Sequence, residues 1–311
     1  MRRVGWLVLG VAILAAPWLV AAVVPRQQRY VLHVLIFTAL FAALALSYDL
    51  VVGHVGSLSL GHPAFFGVGA YTAAILATQA RWSFLTDVFA AGLAAAVVAA
   101  LVGVPLFRLA EHAFAVGTLG LALVASVVAN NWVQVTRGPL CITGIPKPAL
   151  GPLAVATLPA FYWLALAALI VVVSLYQGLT TFRLGRAFHA VRDNEPLAAS
   201  AGIDPLKYRL LAFTIAAGLA GAVGALYVHY LSVMCPEEMT VALTVNLLVI
   251  VFLGGVGSLR GVLVGAVLFT ALPEVLRLAP TWRLVIYGGL LLLVVIRSPG
   301  GIESLLRRAS R

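Results

Sequence analysis

Long stretches without a single charge are what most constrain this chain. Val4 to Pro25, Tyr30 to Tyr48, Val88 to Phe107, His112 to Thr136, Ala149 to Phe182, Leu210 to Pro236 and Met239 to Leu259 contain no Asp, Glu, Lys or Arg. Each can supply the roughly 17 to 25 apolar residues that a helix needs to cross a bilayer. Only 10% of the 311 residues are charged and 63% are hydrophobic, whereas about a quarter of a soluble domain is charged. The chain therefore reads as an all-α polytopic membrane protein, with a single transmembrane domain over residues 1–311. A backbone in lipid must satisfy its own hydrogen bonds, which leaves helices as the spanning element here.

Hydropathy places about ten spans, with eight or nine as alternatives: 4–24, 31–51, 61–79, 86–107, 112–131, 159–178, 208–231, 241–256, 261–278 and 282–297. The first follows Met1, Arg2 and Arg3 like a secretory signal, but its apolar run is longer than the roughly 7 to 15 residues of a signal core. It reads as a retained helix. With the N-terminus in the cytoplasm, 13 of the 20 Lys and Arg fall inside, and Arg26, Arg29, Arg81, Arg137, Lys147, Arg277 and Arg283 fall outside. Positive charge collects on the cytoplasmic side of membrane proteins, so both termini are expected there. The net charge of +10 then serves orientation rather than nucleic-acid binding.

The run GHVGSLSLGHPAFFGVGAY is broken by Gly53, Gly56, Gly61, Pro63, Gly67 and Gly69. This predicts a broken or re-entrant segment near 53–70, a shape tolerated only when buried in protein or lining a cavity. Ser57, Ser59 and His62 lie in it and are candidates for the substrate pathway. The extracytoplasmic loop 132–158 is rich in Gly and Pro, a composition of structured turns. Cys141 and Cys235 both map to the outer side; two buried thiols are the preferred reading and a disulfide the alternative. Ala217, Gly221 and Ala225 place small residues at four-residue spacing on one face of the seventh span, allowing a close helix approach to another span or to a second permease.

The polar exception is residues 181–209, TFRLGRAFHAVRDNEPLAASAGIDPLKYR, within a cytoplasmic loop over 179–207. The spacing predicts a short helix near 194–202. Asp193 or Asn194 caps it, Glu195 and Pro196 suit its first turn, and Gly202 suits a left-handed stop. Asp204-Pro205 then restarts a helix. About two turns are marginal alone, and exposed Leu197, Ala198 and Ala199 would be wasted on water, so docking against a cytoplasmic partner is the expected use. A connector held only by headgroups and its own spans is the alternative.

Catalysis is not expected. A phosphate-binding loop needs Gly-Lys-Ser/Thr, but the chain's lysines are Lys147 after Pro146 and Lys207 after Leu206. GVGS at 255–258 looks like part of a dinucleotide fingerprint but lacks the surrounding strand–turn–helix unit, so close helix packing or a turn explains it better. Neither a GxSxG elbow nor an HExxH helix occurs, and no Asp/Glu/His series runs through the spans as a proton relay would require. No metal site is expected.

GRAFHAVRDNEPLAASAGIDPLKYRLLAFTIAAGLAGAVGALYVHYL resembles the cytoplasmic loop and following helix of the LivM-type permeases of branched-chain amino acid ABC transporters. YDLVVGHVGSLSLGHPAFFGVGAYTAAIL, TRGPLCITGIP and VFLGGVGSLRGVLVGAVLFTALPEVLR match further blocks in order, covering nearly the whole chain. The resemblance implies that Glu195, Ala198, Ala199 and Gly202, with Gly185, Arg186, Arg192 and Asn194 in the same string, form the coupling helix surface that meets a cytoplasmic ATPase. It also implies a homologous permease subunit, two ATP-binding subunits carrying ATP and Mg, an extracytoplasmic binding protein, and the bacterial inner membrane as location. No cofactor is expected on this chain itself. Two departures bear on substrate: Cys141 stands where relatives usually have glycine, and Asn246 where many have glutamate, which adds Asn246 to the pathway candidates. The expected function is ATP-driven import of branched-chain or other small amino acids. Import of urea or short amides, or transport without ATP, are the alternatives.

Overall fold

The computed structural model describes residues 16–18, 25–150, 153–275, 289 and 301–303. The described part is helical apart from four two-residue strands. Helix α1 (Gln28–Asp49) runs on as a π-helical turn, Leu50–Val55, and stops at Gly56 with φ 79°. After an irregular stretch over 56–61, α2 (His62–Ile75) begins with Pro63 in its first turn, continues as a second π turn, Leu76–Ala80, and closes at Arg81. Next come α3 (Phe84–Leu106) and α4 (Glu111–Asn131). The loop between α4 and α5 holds β1 (Ile142–Thr143), β2 (Ala149–Leu150) and β3 (Leu153–Ala154). Helices α5 (Leu158–Thr181), α6 (Arg183–Asp193), α7 (Glu195–Ser200) and α8 (Pro205–Leu231) follow. Then come β4 (Val233–Met234), a 3₁₀ turn Pro236–Met239, α9 (Val241–Gly254) and α10 (Leu259–Val275).

Among the described residues, five helices are long and apolar enough to cross a membrane: Gln28–Val55, α3, His112–Asn131, α5 and α8. The expected spans at 61–79, 241–256 and 261–278 coincide with the shorter helices α2, α9 and α10. Most of the first expected span and all but one residue of the tenth lie outside the described residues. Within 53–70 the chain runs from the π turn through irregular residues 56–61 into α2.

Helix α8 is the axis of the bundle. In its most apolar stretch 67% of the residues are buried, against 22% for α3, and it packs between α2 and α3. Small residues make this approach possible. A Cβ on Gly221 would sit 2.5 Å from the Ala95 side chain and 2.7 Å from the Ala91 carbonyl, and Gly69 of α2 lies directly against the Gly221 backbone. Gly221 of the small-residue stripe is therefore used within the chain, between α2 and α3, with Ala217 and Ala225 buried on the same helix. Helix α3 shows the same economy in reverse: Ala91, Ala95, Ala99 and Gly103 face inward while Leu85, Phe89, Leu93, Val97 and Leu101 are exposed. Small-in, large-out is the pattern of a helix that packs tightly on one side and faces lipid on the other.

The cysteines correct the preferred reading. They form a disulfide, with Cα atoms 4.5 Å apart. Antiparallel β1 and β4 pair Ile142 with Met234, so Cys141 and Cys235 occupy the next position of the same ladder. Strand pairing that brings together two cysteines 94 positions apart is what hydropathy could not foresee. The loop is fastened further by Lys147 Nζ donating to the Tyr230 carbonyl at 2.5 Å and His229 Nδ1 donating to the Pro146 carbonyl at 2.8 Å. Burial holds Lys147 below the usual lysine pKa.

Candidate functional site

The polar segment between α5 and α8 is built from local rules. Phe182 breaks α5, and Gly185 fits the corner because a Cβ there would strike the Thr180 backbone. Helix α6 is amphipathic: Gly185, Ala187, Phe188 and Val191 are buried, and Arg183 and Arg186 lie on the outer face. Asn194 separates it from α7 and settles the choice of cap, its Oδ1 accepting from Leu197 N at 3.0 Å. Pro196 occupies the first turn and Gly202 closes the helix at φ 83°. Asp204 caps α8 by accepting from Leu206 N and Lys207 N at 3.1 and 3.3 Å. Hydrogen bonding to Lys207 holds the Asp204 carboxyl below the usual range.

The segment's side chains divide by direction. Leu197 is 66% exposed, and Ala199 and Arg186 are also exposed. Ala198, expected on the surface with Leu197, is instead buried at 4% and anchors the helix, because its face of a two-turn helix is the one turned toward the bundle. Glu195 is held by Arg209 of α8, with nitrogen–oxygen distances of 2.9 and 3.0 Å. Arg192 turns back toward the bundle: its guanidinium donates to the Gly53 carbonyl and lies beside Gly257, and its stem fills the space beside Gly56.

Around Arg192 lies a buried polar cluster that sequence inspection missed. Asp49 accepts from Gly257 N at 2.8 Å and from Tyr176 Oη at 2.5 Å. Tyr176 Oη lies 2.7 Å from His54 Nε2, and His54 Nδ1 lies 3.2 Å from His189 Nε2. The glycines of GHVGS and GGVGS meet here; a Cβ on Gly53 would stand 2.6 Å from Gly257 N. GVGS at 255–258 is thus a packing turn, with Gly255 and Gly257 at positive φ. A polar residue at the end of an apolar run was the available signal at Asp49, but its partners lie more than a hundred positions away.

The pathway candidates are sorted differently. Ser57, Ser59 and His62 are buried together in and just after the irregular stretch. His62 Nε2 lies 2.9 Å from Ser47 Oγ, Ser59 Oγ accepts from Gly61 N at 3.4 Å, and Tyr48 Oη donates to the Ser59 carbonyl at 2.8 Å. Thr244 of α9 reaches this stretch through its hydroxyl, which donates to the Leu60 carbonyl at 3.0 Å. Asn246, two residues on, points from another face of α9 and is half-buried. A separate crevice of about 20 Å³, enough for one water, is lined by Leu40, Phe41, Leu44, Phe66, Val223, Tyr227, Glu238 and Leu243. Among the described residues no group of three His, Cys, Asp or Glu side chains is placed to hold a metal ion.

A bundle of long apolar helices with one exposed, capped polar helix defines a multi-pass membrane protein. The chain belongs to the family described as the branched-chain amino acid transport system / permease component, whose model matches residues 30–295. It is 33% identical over 303 residues to the high-affinity branched-chain amino acid transport system permease protein LivM of Escherichia coli K12, covering 90% of this chain and 71% of that protein. The LivM protein of Salmonella typhimurium is 33% identical over 293 residues, covering 87% of this chain and 69% of that protein. The permease protein LivH of the same Salmonella transport system is 24% identical over 283 residues, covering 84% and 90%. No solved structure matches the chain.

Proposed function

We propose that this chain is the membrane-spanning permease subunit of an ABC importer, moving branched-chain or other small amino acids into the cytoplasm by alternating access. The observation that carries this is α7: a short helix, capped at its start and stopped by Gly202, presenting Leu197 at 66% exposure on a chain of this permease family. Two turns with an exposed leucine suit a partner's groove better than water. The partners proposed are a homologous permease, two ATP-binding subunits that supply ATP and Mg, and an extracytoplasmic binding protein, all at the bacterial inner membrane. Translocation makes and breaks no covalent bond, so this chain's residues hold, orient and move rather than react.

The test is reconstitution with these partners in liposomes. Uptake of a branched-chain amino acid is expected to require ATP, and Leu197→Asp is expected to abolish ATP-coupled uptake while the protein still inserts and folds. Leu197 is a cleaner probe than Glu195, because Glu195→Lys would also place like charge beside Arg209. Gly202→Pro is expected to uncouple for a different reason, by removing the left-handed stop. Uptake driven by an ion gradient without ATP overturns the reading.

A further inference from the structure

His189 and Arg192 sit three residues apart on α6, one turn before α7, and both reach back into the bundle. From His189 the hydrogen bonds run in sequence. His54 Nδ1 lies beside His189 Nε2 and His54 Nε2 beside Tyr176 Oη, and Tyr176 donates to Asp49, which also accepts from the Gly257 backbone. With Tyr176 as donor to Asp49 and both histidines neutral, His54 donates from Nε2 to Tyr176 and accepts at Nδ1 from His189, so that every proton points toward the carboxylate. The chain thus ties α6 to the π turn, to α5, to the end of α1 and to the turn between α9 and α10.

Two physical features make this more than an anchor. Apolar helix faces slide over one another with little directional preference, whereas buried hydrogen bonds fix a register and are costly to leave unmade. The close approach of Gly53 to Gly257 leaves no room for a Cβ, so the turns on either side of Asp49 cannot move independently. A push on α7 reaches the bundle through α8, which holds Glu195, and through α6, whose inward polar contacts include this chain.

We propose that Asp49, His54, Tyr176, His189 and Arg192 form the joint that transmits displacement of α7 into α1 and into the α9–α10 turn. They are positioning residues and touch no substrate. The proposal rests on the importer reading above.

The decisive measurement is the number of ATP molecules hydrolysed per amino acid taken up by the complete reconstituted complex. Tyr176→Phe keeps the ring and removes the hydroxyl at the middle of the chain. It is expected to raise that ratio by about fivefold or more, the lower end of usual coupling strengths, while the complex assembles normally. Thr38→Val removes a different bond of α1, the one that joins it to α10 through Thr38 and Thr270 at 2.6 Å, and is expected to leave the ratio unchanged. An unchanged ratio in an assembled Tyr176→Phe complex overturns the joint, as does an equal rise in Thr38→Val. If Tyr176→Phe does not assemble, His189→Ala, on a half-buried position, decides by the same ratio. ATP-independent uptake by the unaltered complex removes the importer reading and the joint together, whereas ATP-dependent uptake with unchanged ratios removes the joint alone.

Discussion

Cys141 adopts φ 57°, ψ 160°, a backbone region that glycine enters freely and other residues enter at a cost of about 1 to 3 kcal/mol. The disulfide to Cys235 and the β1–β4 ladder hold it there. In a Cys235→Ala background, Cys141→Gly is expected to be more stable than Cys141→Ala by about 1 kcal/mol, read as a higher Tm in detergent. Reduction of the unaltered protein is expected to lower stability by about 2 to 4 kcal/mol, with no effect of reductant on the double variant. A second residue, Arg192, shows what inspection of a sequence cannot give. It is one charge of the string that the resemblance marks as a coupling surface, and its guanidinium donates to a carbonyl of the π turn. Asp87 and His229 teach the same lesson: both are buried, with Nε2 and Oδ2 3.5 Å apart, and nothing near either residue announces the other.

Elements were legible where the signals are local. The cap at Asn194, the proline at 196, the glycine stop at 202 and the Asp204 cap lie within one short string, and each acts on backbone groups two or three residues away. Helix α6 escaped because its buried face includes Gly185 and Ala187, residues too small to mark an apolar stripe. The stripe on α8 was legible as a close-packing face, but only the structure assigns Gly221 to Gly69, Ala91 and Ala95. Gly221→Val is expected to force α2 and α3 apart, costing about 1 to 3 kcal/mol. The measurement is thermal aggregation of the detergent-solubilised protein. Gly120→Ala, where nothing lies within 4 Å of the added Cβ, is the comparison and is expected to leave it unchanged.

For the whole molecule, the uneven distribution of Lys and Arg yields a prediction about orientation. In a background with both native cysteines replaced by serine, Ala199→Cys is expected to react with a membrane-impermeant maleimide only when the cytoplasmic face is open. A cysteine at Lys147 is expected to react in intact cells. Labelling of the first in intact cells would invert the orientation. What the sequence determined by itself was the medium and the periodicity: uncharged runs of spanning length, breaks at glycine and proline, and one capped polar helix, all set by interactions between near neighbours or with lipid. Which faces meet was decided only by the tertiary structure. The disulfide, the Asp49 cluster and the Asp87–His229 pair each join residues far apart in the chain, and an apolar helix face carries no directional label for its partner until packing and buried hydrogen bonds select one.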